Sequence, residues 1–113
     1  MKRGSLVTIS GGADYAGKPR PALVVQSDLF ETVASLTVCP LTSRPVTLPL
    51  LRIHVMSSTA NGLRAPSWIM IDKIQALPRT KIGSTFGEVT SEQMQIVTEA
   101  LAVFLGIAER QAA

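Results

Sequence analysis

The chain has 113 residues, 46% of them apolar but only 4% aromatic, so a single domain over residues 1–113 is expected, with a core of Val, Ile, Leu and Ala. No apolar run reaches membrane-spanning length, the N-terminus lacks the apolar stretch of a signal peptide, and a lone cysteine, Cys39, excludes an internal disulfide; the expected setting is a reducing cytoplasm, away from membranes. The net charge of +3 is uneven, with ten Lys/Arg against four Asp/Glu in residues 1–87 and one against four in residues 88–113, so a basic body suited to a polyanionic ligand precedes an acidic end.

Residues 6–9 read as a first strand, and residues 10–17 as a loop with three glycines. Its Gly11-Gly12 pair is not a phosphate-binding loop, because no Gly-Lys-Ser/Thr follows and no helix opens there. Pro19 and Pro21 fix their own φ angles and push Lys18 and Arg20 out of the helical region. Arg20 is thereby held in extended backbone at the lip of a second strand, residues 22–26, where its five-donor fork suits a phosphate or carboxylate. An exposed arginine lying over a sheet edge is the plainer reading of the same residues.

A third strand is expected at residues 36–41, with Pro40 marking its end as an edge or bulge. A proline-bounded loop, residues 44–49, precedes a fourth strand at residues 50–55. Residues 57–66 form a polar loop containing Asn61-Gly62. Residues 68–71 and 74–77 read as one strand broken at Asp72-Lys73, and residues 82–89 as a last strand weakened by glycine. The one strong helix comes at the end. Thr90 and Gln93 fit a capping box, Met94, Val97, Leu101 and Phe104 recur at helical spacing as a core stripe, and Gly106 is the stop. Strands followed by a terminal helix predict a small, strongly bent antiparallel sheet or partial barrel with a helix against it.

Counting removes several chemistries. One His and one Cys at unrelated places do not make a zinc site, so no metal or cofactor is expected. Asp14, Asp28, Glu31 and Asp72 are too scattered for paired-carboxylate glycoside hydrolysis. No nucleophile-elbow sequence accompanies His54, and Cys39, inside an apolar strand, reads as a buried structural thiol. RNA cleavage remains open to such a chain, because the substrate brings its own 2′-hydroxyl nucleophile. A protein then needs only to position it, move protons and stabilise charge on phosphorus, which Arg and Thr can do.

The ordered set Arg3-Gly4, Gly17-Lys18-Pro19-Arg20-Pro21-Ala22-Leu23-Val24-Val25, Cys39-Pro40-Leu41-Thr42-Ser43, Asn61-Gly62-Leu63, Ile71-Asp72-Lys73 and Leu105-Gly106 resembles the PemK/MazF toxins of type II toxin–antitoxin systems. The resemblance spans nearly the whole chain. It implies an SH3-like antiparallel barrel with a C-terminal helix, a homodimer, metal-independent cleavage of single-stranded RNA at specific sequences, and a cognate antitoxin that blocks it. It also implies catalytic roles for Arg20, as proton shuttle and charge stabiliser, and for Thr42, as a donor to the transition state. Where the family often carries glutamine this chain has Lys73, which bears on substrate preference. Val25-Gln26-Ser27-Asp28, Ser67-Trp68 with Met70, and Phe104-Leu105-Gly106-Ile107 look like the CcdB-type gyrase poisons, which share the fold and hydrolyse nothing. Those carry a tryptophan before the terminal Gly-Ile, where this chain has Leu105.

On their own residue types, Thr42 reads equally as a strand-end threonine bonded to backbone, and Lys18, Arg44 and Lys73 as phosphate contacts or solvated charges. Ser43 and His54 join them as candidate substrate contacts, although His54, mid-strand among apolar neighbours, is expected half-buried with a backbone hydrogen bond. Trp68 is expected in the core or, with Met70 and the helix, in the dimer interface.

Overall fold

Val, Leu and Ile crowd the early strands so densely that they bury both faces. In the computed structural model, which describes residues 1–10 and 18–109, β1 (Ser5–Ile9), β2 (Arg20–Val24) and β3 (Ser35–Thr42) are consecutive antiparallel neighbours. The loop expected at residues 10–17 lies outside the described residues except for Ser10. Leu6, Leu23 and Cys39 are opposite one another on one face, and Val24 faces Val38 on the other, all inaccessible or nearly so. The two faces feed separate apolar clusters.

β2 starts and ends two residues earlier than expected. Gln26 leaves the strand and substitutes its side chain for backbone pairing: Oε1 accepts from Thr37 N at 2.9 Å, while Nε2 donates to the Phe30 and Ser35 carbonyls at 3.2 and 3.3 Å.

β3 is the hub. One edge pairs with β2; the other pairs with β6 (Gln75–Pro78) along Ser35–Val38 and with β5 (Ser67–Met70) at Leu41 and Thr42. β5 and β6 are thus one broken strand, as expected. Between Leu41↔Ile69 and Val38↔Gln75 the register slips by three residues, the length of the 3₁₀ turn Ile71–Lys73. Pro40 is buried and central rather than at an edge. It is tolerated because it falls in the interval where β3 has left β6 and not yet met β5.

β4 (Arg52–Val55) pairs with β5 at one end of the sheet, and β7 (Ile82–Glu88) with β1 at the other. The path runs β4-β5-β3-β2-β1-β7 with β6 on β3, so the architecture is mainly β with a C-terminal helix, as expected, and the bent sheet stays open rather than closing as a barrel. β4 is shorter than predicted because Leu50 takes a left-handed backbone, φ 73°, and the N–H groups of Leu51 and Arg52 both bond to the Leu48 carbonyl at 3.0 Å, making a turn.

Helix α1 (Ser91–Phe104) begins at the predicted capping box, with Thr90 Oγ1 accepting from Gln93 N at 3.1 Å and Gln93 Oε1 from Thr90 N at 2.8 Å. Met94, Val97, Ala100 and Leu101 pack into the larger cluster, each such burial contributing on the order of 1–3 kcal/mol. Phe104, predicted in the stripe, is 42% exposed, because the last turn runs past that cluster.

Candidate active site

The prolines at 19 and 21 do what the sequence suggested: β2 begins at Arg20 itself, whose side chain is exposed. The β2–β3 register runs Val24↔Val38, Leu23↔Cys39, Ala22↔Pro40. Carried two residues further, to the ends of both strands, it sets Arg20 opposite Thr42. Thr42 is opposite Trp68 on β5, and Trp68 is opposite His54 on β4. Directly opposed residues in an antiparallel ladder share a face, so Thr42, Trp68 and His54 form one row across β3, β5 and β4, and Arg20, two residues past the last β2–β3 pair, continues its line. At the usual strand spacing that line is about 14 Å long.

The members of the row are held differently. Thr42 Oγ1 accepts from Arg44 N at 3.2 Å, the backbone role expected of a strand-end threonine. That bond occupies one lone pair and leaves the hydroxyl hydrogen to donate. His54 is exposed rather than half-buried and bonded to backbone: β4 ends the sheet, and His54 faces away from the core that Ile53 and Val55 join. Trp68 is likewise not in the core. It is half-buried on the face opposite Ile69, its ring centroid 4.7 Å from that of His54 and the planes tilted by 48°.

On the other face of β3, Leu41 and Ser43 line a cleft of about 580 Å³ with Arg20, Thr8, Ser67 and Arg64. Arg20 therefore heads the row and borders the cleft. Lys18 and Arg44 are exposed next to residues of this site, in sequence neighbours of Pro19 and Ser43. Lys73 is exposed in the turn between β5 and β6, and lies among neither the row nor the cleft residues.

Arg64 escaped the sequence reading, although the Asn61-Gly62 turn just before it is its signal. Asn61 is buried and organises the loop: Oδ1 accepts from Ser58 N and Leu63 N at 3.0 Å, and Nδ2 donates to the Met56 carbonyl at 2.8 Å. Gly62 has φ +67°, and a Cβ there would stand 2.6 Å from the Phe86 carbonyl oxygen, so the loop seats on β7 only with glycine. That seating delivers Arg64 to the cleft.

Two titratable groups are taken out of the chemistry. The Arg52 guanidinium grips Asp72 through two bonds, Nε to Oδ1 at 2.9 Å and Nη2 to Oδ2 at 3.0 Å, and these hold the carboxyl below its ordinary range. Burial, and then the charge of Asp72, push the Cys39 thiol up to about 12, so it stays protonated and non-nucleophilic. Among the described residues no group of three or more His, Cys, Asp or Glu could hold a metal ion.

Residues 2–105 match the family described as PemK-like, MazF-like toxin of type II toxin–antitoxin systems. A probable endoribonuclease MazF of Mycolicibacterium smegmatis is 42% identical over 108 residues, 96% of this chain and 99% of the relative. Among solved structures, an endoribonuclease in complex with its cognate antitoxin from a mycobacterial species superposes with TM-score 0.77 at 24% identity, covering 97% of this chain and 99% of that one. The MazE–MazF complex of Deinococcus radiodurans gives TM-score 0.79 at 22% identity, with 96% and 98% covered. At these identities the structural likenesses show the fold.

Proposed function

Because this chain belongs to the PemK-like, MazF-like toxin family of type II toxin–antitoxin systems, we propose that it is a toxin that cuts single-stranded RNA at Arg20 and Thr42, as one domain over residues 1–113. The observation that supports the site is the β2–β3 register, which, continued two residues past its last pair, sets Arg20 and Thr42 at adjacent strand ends. Of the two resemblances in the sequence, the family match supports RNA cleavage over gyrase poisoning.

The ribose 2′-oxygen attacks the adjacent phosphorus; the 2′-O–P bond forms as the P–O5′ bond breaks. Arg20, as proton shuttle, relays the proton of the 2′-hydroxyl to the departing 5′-oxygen, leaving a 2′,3′-cyclic phosphate and a 5′-hydroxyl. Negative charge grows on the nonbridging oxygens meanwhile. The Arg20 fork answers it with two directed N–H donors, and the Thr42 hydroxyl donates a third. Lys18, Ser43, Arg44 and Arg64 hold flanking phosphates or bases around Arg20, the one residue common to the cleft and the row, His54 touches the substrate at the far end of the row, and Lys73 makes a more distant contact. No metal or cofactor is part of this scheme.

The partners are single-stranded RNA, a cognate antitoxin and a second copy of the chain, in the cytoplasm. Exposed apolar side chains on α1 and just beyond it, Ile96, Phe104, Leu105 and Ile107, give a homodimer surface to bury. Among the described residues no helix is long and apolar enough to cross a membrane.

The test is cleavage of a defined RNA in EDTA. Wild type should cut it to the products above, and should leave uncut the same RNA with hydrogen in place of the target 2′-hydroxyl. Equal cutting of the deoxy-substituted RNA, or wild-type rates from Arg20→Ala, would overturn the assignment.

A further inference from the structure

Trp68 is the single tryptophan of the chain, and it sits where a core indole would not. On β5 its neighbours Ser67 and Ile69 face the buried side, while Trp68 stands half-exposed on the outer face between Thr42 and His54. Cβ atoms of directly opposed residues are about 4.5–5.5 Å apart, so the indole lies one strand from the threonine that would donate to the scissile phosphate. The imidazole beside it is tilted by 48°, not stacked flat. The two rings touch, and with Trp68 only half-buried and His54 exposed the pair leaves aromatic surface turned to solvent for a third plane. The chain's basic body draws a polyanion, Arg20 stands at the head of this row, and unpaired RNA bases stack on such aromatic surfaces.

From this we infer that Trp68 and His54 form a stacking platform for one unpaired nucleobase, that of a nucleotide next to the scissile phosphate. The inference rests on RNA cleavage at Arg20 and Thr42, and it assigns the far half of the row. Stacking accepts any base, because every base has a π-face. The platform therefore sets where along the strand the phosphate meets Arg20, and Trp68 and His54 are positioning residues. Base identity is left to the polar groups of the cleft, Ser43 and Arg64 among them.

The single indole makes the test direct. Full-length wild type is titrated with an uncleavable RNA, deoxy at the target ribose, while Trp68 fluorescence is followed. Binding should quench it. A series of RNAs carrying one abasic site at successive positions should contain one member that binds roughly 5- to 150-fold more weakly and does not quench, the loss typical of one stacked base. Trp68→Ala should lose affinity by a similar factor and no longer distinguish that abasic RNA from the intact one. Trp68→Phe should restore most of the affinity, and His54→Ala should fall between. The cutting position on a long RNA should blur in Trp68→Ala and sharpen again in Trp68→Phe.

Saturable binding that leaves the fluorescence unchanged would overturn the platform. So would a Trp68→Ala protein that binds and cuts as wild type does, or one that changes its state of association while its affinity for RNA is unaltered. If wild type neither binds nor cuts RNA, the ribonuclease reading itself fails, which is a different result from a ribonuclease without a platform.

Discussion

Arg20 and Thr42 are each ordinary taken singly: one is an exposed arginine at the start of a strand, the other a strand-end threonine accepting from a backbone N–H. In the proposed mechanism their closeness at the ends of β2 and β3 makes them a site, so substitutions should separate geometry from charge. Arg20→Lys keeps the charge and loses the planar fork, and kcat should drop roughly 10²–10³-fold while the thermal midpoint is unchanged. A lysine variant with more than half of wild-type kcat would show that charge alone suffices. Thr42→Val keeps the β-branched shape and removes the donor, so it should lose on the order of 10²-fold in kcat, with Thr42→Ser recovering most of it. Thr42→Val also hands the exposed backbone N–H of Arg44 to solvent, so its stability must be measured alongside.

The elements around the site are held by a few contacts whose removal has definite consequences. Asp72, in the turn that splits β5 from β6, is tied to Arg52 on β4, and both side chains are mostly shielded from solvent. Its carboxyl is held below the usual range, chiefly by the bond from Arg52. The stabilisation is therefore complete above the ordinary Asp value, near pH 4, and fades as pH falls through the lowered one. Asp72→Asn should be about 1–3 kcal/mol less stable at neutral pH, with the gap to wild type narrowing toward pH 2; denaturant melts across that range measure it. A gap independent of pH would rule out the charged pair as its source. In the loop bearing Arg64, Gly62→Ala must adopt φ +67° and push its Cβ against the Phe86 carbonyl. A cost of at least about 1–3 kcal/mol is expected, seen as a lower melting midpoint. RNA affinity should fall as Arg64 is displaced.

At the scale of the whole molecule, the basic body and the apolar surface of α1 point to assembly. A homodimer related by a two-fold axis would bury like surfaces, and on the proposed mechanism an antitoxin that covers Arg20 would silence it. An acidic segment is the natural match for a body with ten Lys/Arg and four Asp/Glu in its first 87 residues. Inhibition should weaken as salt is raised from 50 to 500 mM, through screening, and should be competitive with RNA. Sedimentation at micromolar concentration should give twice the monomer mass of 12.1 kDa. A stable monomer would reject the dimer, and an antitoxin that inhibits while RNA stays bound would reject occlusion.

What adjacent residues decide was legible in the chain. Proline φ angles hold Arg20 extended, Thr90 and Gln93 cap the helix, apolar runs mark the strands, and Asp72-Lys73 marks the break between β5 and β6. Each of these depends on backbone geometry within a turn or two. What depends on register and on which face meets solvent was not legible there. Gln26 ended β2 by bonding to partners from Phe30 to Thr37, Phe104 stayed exposed because the helix outran its cluster, and His54 and Trp68 were turned outward. The row Arg20, Thr42, Trp68, His54 exists only because three strand pairings agree in register; a slip of one residue in any of them would send its members to opposite faces. That agreement is set by how the two apolar clusters fill, a property of the folded sheet and not of any segment of it.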